Sequence, residues 1–446
     1  MSRIQENYIK QLVFVLIVVL SIAPIFLFWS IPVLSADVAI SDMIQLYFGA
    51  FASIIGLLGA MILFWQYVLG LRFWSKFFTT DFIWLNNVHK NAGIWGFIFI
   101  ALHPMSALVS YGADWFQLIL PNEWTNYDIF VAYGKIALTI LGTIWITSAA
   151  FRRKIPFRWW KRIHFISYLI FPLVYIHGLN VGTVLISTNL RYYWYFLGAV
   201  FPIIAITGIL HHFGVFKRKA TITKKEALTD EVNRFTVKLE KPLSLSPGQF
   251  IYIQLQRGGE SHPFTVSHIL SDDSFMISPK KEGKFTQSLD AISPPTQVFI
   301  DGPYGIFTAP AFENDAPVVF LAGGIGITPF IQPMKDLKQE RTLFYSARTY
   351  DSMAFKDELL DICAATTRAK KSKAKVIFAI TNESVAKEHC EEGRITADML
   401  KKHLSMPLVE HQFYICGPKP FIKAMKDLLK AEGVTQHQFQ TEEFSI

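Results

Sequence analysis

The chain has 446 residues, of which 51% are hydrophobic and 17% charged, a balance too apolar for an ordinary soluble enzyme of two or three domains. Its 43 basic and 35 acidic residues leave a net charge of +8, but six basic residues (Arg152, Arg153, Lys154, Arg158, Lys161, Arg162) fall in one short stretch between apolar runs, which is a topology signal and speaks against nucleic acid. Three scattered cysteines, Cys363, Cys390 and Cys416, exclude a four-cysteine iron–sulfur site, a Cys-x-x-Cys-His attachment and a disulfide framework.

Six apolar spans come first, at about 9–31, 43–71, 88–110, 128–151, 161–185 and 191–214, each long enough to cross a bilayer. The first reads as an anchor: its apolar run is too long for a signal-peptide core, and Leu34 spoils a cleavage site ending at Ala36. Basic residues follow spans two, four and six (Arg72, Lys76 and Lys90; the cluster above; Lys217, Arg218 and Lys219). The intervening loops carry Asp37, Asp42, Asp114, Glu123 and Asp128. The positive-inside rule therefore puts both termini in the cytoplasm, with the cell membrane as the setting.

Spans three and five each carry two histidines, His89 with His103 and His164 with His177, 14 and 13 residues apart. At helical rise each pair is separated by about 20 Å along its axis. Imidazole inside a bilayer is costly unless it binds something. Both spans run outward, so His89 and His164 meet near the inner face, and His103 and His177 near the outer face. That arrangement suits two haems held one above the other by bis-imidazole ligation. Polar residues lining a cavity are the plainer alternative. Fourteen residues leave His89 and His103 about 40° apart, whereas thirteen leave His164 and His177 about 140° apart on an ideal helix. Pro172 lies between the latter two, and a break there is expected to restore a common face.

Beyond residue 216 the pattern changes. Alternating runs such as Arg234–Leu239 and Gln249–Leu255, broken by Pro247-Gly248, predict an antiparallel β-barrel over 216–312. From 313 to 446, strand–turn–helix repeats with strands at Val318–Ala322, Thr342–Ser346, Val376–Ile380 and Phe413–Cys416 predict an α/β domain with a parallel sheet. The turn Gly323-Gly324-Ile325-Gly326-Ile327-Thr328-Pro329 follows a buried strand, where glycines let backbone amides approach a pyrophosphate. Its companions are His262-Pro263-Phe264-Thr265-Val266-Ser267, Gly283-Lys284-Phe285-Thr286, Gly302-Pro303-Tyr304-Gly305, Cys416-Gly417-Pro418 and Glu442-Glu443-Phe444. Lys370-Lys371-Ser372-Lys373 reads as a solvated loop.

On these motifs residues 217–446 resemble the ferredoxin-NADP reductase superfamily. With the histidine spans in front, the whole chain resembles the NADPH oxidase and ferric reductase family of transmembrane flavocytochromes, in the compact form of its bacterial members. The resemblance implies a six-helix di-haem domain over 1–215, an FAD domain over 216–312 and an NAD(P)H domain over 313–446. It implies that the strand with His262 and Pro263 binds FAD, that Phe264 and Thr265 line the isoalloxazine, that His262 and Ser267 lie near the FAD diphosphate, and that Gly283, Lys284, Phe285 and Thr286 form the second flavin segment. Gly323, Gly324, Gly326, Thr328 and Pro329 would hold the NAD(P)H pyrophosphate. Cys416, Gly417 and Pro418 would sit by the nicotinamide, with Phe444 stacked on the flavin and Glu442 beside it. Arg348 lies where the 2′-phosphate of NADPH would lie, and is equally readable as a surface arginine. His89 with His164 would ligate the inner b-type haem and His103 with His177 the outer one, with Arg153 and Arg162 as partners for inner-haem propionates. His211 and His212 read as interfacial. His268, His389, His403, His411 and His437 are assigned no role.

The expected function is electron transfer from cytoplasmic NADPH or NADH through FAD and two haems to a small-molecule acceptor outside, a ferric chelate or dioxygen. Some oxidases of the family carry a further histidine one turn past the outer-haem histidine and an arginine in the second helix. Here Ala107 takes the first position, and span two has no arginine before Arg72. The competing readings are a membrane-anchored NAD(P)H:flavin reductase and an electron-donating subunit for a protein partner, although the sequence does not require one.

Overall fold

The computed structural model describes residues 3–28, 40–75, 77–79, 81–112, 125–369, 373–384 and 387–443. Phe444 and Lys370-Lys371-Ser372 lie outside them. The chain divides into two compact units, Asn7–Leu210 and a second formed from His211 onward together with the first six residues.

The first unit is helical: α1 (Arg3–Phe28), α2 (Ile40–Gly70), a single turn α3 (Arg72–Ser75), α4 (Phe82–Tyr111), α5 (Asn126–Ala149), α6 (Phe157–Phe165), α7 (Ile170–Val181), a short α8 (Thr183–Ser187) and α9 (Leu190–His212). Among the described residues six helical segments are long and apolar enough to cross a membrane, at Tyr8–Leu27, Asp42–Gly70, Phe82–Tyr111, Tyr127–Ala149, Phe157–Val181 and Leu190–His212. The third starts six residues before the apolar run suggested, because the Asp81 carboxylate accepts from the Trp84 N–H at 3.0 Å and caps the helix. It stops at Gly112, whose φ of +60° suits glycine. The fifth likewise starts early, at Phe157 directly after Pro156.

The predicted break in span five is present. Between α6 and α7 the chain runs as a 3₁₀ turn over Ile166–Leu169. Pro172 has no N–H for the Tyr168 carbonyl, and its ring would crowd that oxygen in a regular helix. The Ser167 carbonyl, which accepts from the Ile170 N–H within that turn, also takes a bond from Tyr67 Oη at 2.6 Å. Four residues at about 120° each instead of 100° reduce the offset of His164 and His177 from about 140° to about 60°.

Helices α2 and α4 pack antiparallel through glycines. Gly49, Gly56, Gly59 and Gly70 descend α2 against Ser110, His103, Ile100 and His89 of α4. Without side chains these positions let the backbones approach closely, the usual device where lipid removes the hydrophobic drive for helix association.

The second unit opens with a closed antiparallel barrel, order β1-β2-β5-β4-β3-β6, built from β1 (Arg218–Ala227), β2 (Asn233–Leu239), β3 (Phe250–Gln254), β4 (Ser261–Ser271), β5 (Ser274–Ile277) and β6 (Thr296–Tyr304), with α10 (Lys284–Asp290) between the last two. Ile222, Val237, Ile251, Ile253, Phe275 and Ile300 fill its interior, fully buried. There follows a six-stranded parallel sheet, order β10-β9-β8-β7-β11-β12: β7 (Val318–Gly323), β8 (Arg341–Ala347), β9 (Ala374–Ile380), β10 (Cys390–Glu392), β11 (Gln412–Gly417) and β12 (Phe439–Glu443). Helices α11 (Ile331–Asp336), α12 (Lys356–Ala369), α13 (Ala397–His403) and α14 (Lys419–Ala431) connect the strands. All six residues of β7 are buried, as a central parallel strand covered on both faces requires. The strand order reverses between β7 and β11, so the crevice of this sheet opens at their carboxyl ends.

Candidate functional site

The four membrane histidines meet in two pairs. The His89 and His164 rings are 6.2 Å apart between centroids and tilted by 60°; the His103 and His177 rings are also 6.2 Å apart, at 83°. Two imidazoles sharing one metal through bonds of about 2 Å, with ring centres about 1.2 Å behind each nitrogen, would stand about 6.3 Å apart. His103 Nδ1 lies 2.8 Å from the Ala52 carbonyl and His177 Nδ1 2.9 Å from that of Phe130. Each Nδ1 therefore carries the proton and leaves Nε2 as the free donor, the arrangement that orients a ligating histidine. Glycines cradle the rings: a Cβ on Gly56 would fall 2.6 Å from His103 Nδ1, one on Gly134 2.9 Å from His177 and one on Gly70 3.2 Å from His89. His164 is stacked instead on Trp160, 4.9 Å away at 25°, whose indole N–H donates to Ser148. Among the described residues no three His, Cys, Asp or Glu side chains converge as a metal site, so two-histidine sets are what the unit offers. These pairs fit a planar metal complex bound on both faces. The Arg162 guanidinium lies over the Trp159 ring at 4.9 Å.

On the barrel, His262 and Phe264 of β4 line up against Phe285 of α10, with ring centres 4.1 and 5.9 Å away and each plane at 25° to that of Phe285. This is an aromatic shelf of the kind a flat ring system would lie against. Pro263 is exposed and Thr265 is buried beside Phe250 in the β3–β4 register. Gly283 has open space around it, and Thr286 Oγ1 accepts from the N–H groups of Gly283 and Glu282, while Lys284 begins α10. Ser267 departs from its expected place. It is fully buried, its hydroxyl donates to the Met276 carbonyl, and it lies 3.1 Å from His268 Nδ1.

At the crevice of the parallel sheet, Gly323 ends β7, the expected turn runs as 3₁₀ over Gly324–Phe330, and α11 follows from Ile331. Gly324 has φ +56° and nothing beside it. Gly326 has no room, for a Cβ there would stand 2.4 Å from the Cys416 carbonyl oxygen. Thr328 is buried and donates to the Ile325 carbonyl at 3.1 Å, and Pro329 is buried next to it. Cys416, Gly417 and Pro418 thus stand across the crevice from the glycine turn, and Glu442 pairs with Cys416 across β11 and β12. Burial, then the Glu442 carboxylate, pushes the Cys416 thiol well above its ordinary range, so it stays protonated at neutral pH. Arg348 is exposed one residue past β8. Nearby, the ring of Tyr350 carries two ammonium groups, Lys387 Nζ at 3.9 Å and Lys356 Nζ at 4.4 Å from its centre.

The glycine cradle, Trp160 and the lysines around Tyr350 are additions to the sequence reading. Only the first left a signal, since Gly56 and Gly70 share the 14-residue spacing of His89 and His103. His211 is not a member of the histidine pairs; its Nε2 lies 3.1 Å from Asp301 Oδ2.

Comparison with known proteins agrees domain by domain. Residues 55–175 match the ferric reductase like transmembrane component, 213–308 an FAD-binding domain and 320–427 the oxidoreductase NAD-binding domain. A flavohemoprotein of Rhodopirellula baltica is 29% identical over 255 residues, covering 51% of this chain and 60% of that protein. The reductase component of propane 2-monooxygenase from Rhodococcus jostii is 25% identical over 243 residues, covering 51% and 63%. The chain thus spans about 60% of the length of these relatives. Among solved structures, the FAD/NAD binding domain of nitric oxide dioxygenase from Vibrio cholerae is 21% identical with a TM-score of 0.44, covering 51% of this chain and 98% of that one.

Proposed function

We propose that this chain, which has the architecture of the ferric reductases and NADPH oxidases with a ferredoxin-NADP reductase-like second half, draws electrons from cytoplasmic NAD(P)H and delivers them to an acceptor on the outer face of the cell membrane. The domains assigned are 1–215 for the membrane di-haem part, 216–312 for FAD and 313–446 for the nucleotide. The observation that carries the reading is the repetition of one geometry at two heights, ring centres 6.2 Å apart in each histidine pair.

His89 with His164, and His103 with His177, would each hold one b-type haem, while His262, Phe264, Thr265 and Phe285 would hold FAD. The flavin's chemistry is to take two electrons as a hydride and yield them singly, and the haems' is to carry them one at a time across a thickness no single transfer spans. The residues of the chain do the rest. Gly324 would leave the backbone bare for a pyrophosphate, Gly323 and Gly326 let the turn pack against Phe421 and the Cys416 carbonyl, and Thr328 and Pro329 are buried behind it. Cys416, fully buried at the end of β11, would support the floor of the crevice. The Nδ1 bonds to Ala52 and Phe130 would orient His103 and His177 to hold the outer haem between them. An acceptor therefore meets the edge of the outer site and not its metal. Ala107, where some oxidases of the family carry a further histidine, speaks against a dedicated oxygen site, and the acceptor is a ferric chelate or dioxygen. A membrane potential of ordinary sign assists, at about 2.3 kcal/mol per electron per 100 mV.

The test is a reduced-minus-oxidised absorption spectrum of the detergent-purified protein under anaerobic conditions, with NADPH as reductant. Two low-spin b-type haems per flavin, reduced by NADPH, are expected. Flavin bleaching with no haem signal would replace this reading with a membrane-anchored flavin reductase.

A further inference from the structure

The flavin barrel and the nucleotide sheet are joined at a charged seam. Glu358, in the first turn of α12, accepts hydrogen bonds from two barrel side chains, Arg234 of β2 and His268 of β4. The Arg234 guanidinium also covers the Phe355 ring at 5.1 Å, and the His268 ring lies 5.9 Å from it. Phe355 is buried and holds φ +65°, a conformation costly for an aromatic side chain and kept only where the surroundings over-determine it. Alongside, Gln332 of α11 accepts from the Ile269 N–H at 3.1 Å and donates to Asp336 at 2.7 Å. His268 Nδ1 faces Ser267 Oγ, so both ring nitrogens are engaged. Glu358 also lines a cavity with Lys335 and Asp336 of α11, Lys338 just after it, Arg341 of β8 and Asp361 of its own helix, while Asp357 is exposed.

The placement matters more than the bonds. Strand β4 carries the aromatic shelf of His262 and Phe264 as well as His268. Helix α12 directly follows the loop that carries Arg348 and Tyr350. One carboxylate therefore ties the strand that faces the flavin to the element that follows the nucleotide loop. We propose that Glu358, through Arg234 and His268, is a positioning residue for hydride transfer, holding the nucleotide sheet at the distance from the barrel that brings nicotinamide to flavin. This rests on the function proposed above. Reactivity of two bound rings falls steeply with small displacements, so a loosened seam slows the chemistry while each ligand still binds.

The experiment uses full-length, FAD-loaded protein in detergent, with flavin bleaching by NADPH followed in an anaerobic stopped-flow. Glu358→Gln and His268→Gln are each expected to slow bleaching at saturating NADPH on the order of tenfold. FAD content and half-saturation by NADPH should stay near wild type, any fall in melting temperature should leave the protein folded at the assay temperature, and Asp357→Asn, one position along, should change nothing. Unchanged bleaching in both variants overturns the proposal. So does a loss of rate that only tracks a loss of FAD or of folded protein, because that is a structural role. If wild type itself is bleached by neither NADPH nor NADH, the proposed function falls first, and that result is distinct from a normal wild type with normal variants.

Discussion

Gly56 and His103 lie so close that a methyl in place of the glycine hydrogen would fall 2.6 Å from the imidazole Nδ1, the atom already bonded to the Ala52 carbonyl. The ring cannot retreat without giving up that bond. Gly56→Ala is therefore expected to lower haem content from two towards one per flavin, leaving flavin loading intact. A pyridine haemochrome assay against flavin absorbance reads this directly, and unchanged stoichiometry would show that the cradle has slack.

The order of the two pairs is testable by removing one at a time. With His164→Leu, NADPH should reduce the flavin but not the remaining haem, which should still answer to dithionite. With His103→Leu, NADPH should reduce the remaining haem, but delivery to a ferric chelate should stop. Identical behaviour of the two variants would refute a series connection.

Arg348 and the lysines on Tyr350 bear on coenzyme choice. A phosphate ester held by charged donors gains about 1.5–3 kcal/mol per bond, roughly tenfold to a hundredfold in binding. Arg348→Ala is expected to raise the KM for NADPH by about that factor and leave the KM for NADH unmoved; Lys387→Ala should do the same more weakly. Steady-state reduction of an artificial acceptor with both coenzymes checks it. Equal effects on both would assign Arg348 to the surface.

The seam at Glu358 predicts an acid limb. Burial raises this carboxyl, but the bonds and charges of His268 and Arg234 outweigh burial and hold it below its ordinary range. A depressed folded-state value means that the carboxylate stabilises the native fold above the unfolded value, and that this is lost as pH falls through the folded one. Thermal melting of wild type should weaken from about pH 5 downward, and the pH dependence should be shallower in Glu358→Gln. A parallel pair of curves would detach Glu358 from the limb.

Much of this was legible because the membrane exaggerates pattern. Four histidines on apolar runs stand out as they never would on a soluble surface, and Pro172 announced the break that aligns two of them. Strands β7, β8, β9 and β11 could be read because buried parallel strands are continuously apolar. The short β10 and the terminal β12 could not, since Cys390–Glu392 and Phe439–Glu443 carry no such run. Capping by Asp81 moved a helix start that hydropathy alone misplaced. The seam was invisible for a different reason: Arg234, His268 and Glu358 are 34 and 90 residues apart, and nothing local marks a polar residue whose partner lies in another domain. His268 had been assigned no role on that account. Ser267, read beside the flavin motif, belongs to the same seam.

The 3₁₀ turn at Ile166–Leu169 works as an angular adjuster between two mounts. Each residue of helix turns what precedes it by about 100°, so the register of His164 is written in the length of that short connector, separately from His177. One residue inserted there would swing the inner ring away from His89 while the outer pair kept its place. Through this connector, the lower contact of the molecule could be retuned without touching the upper one.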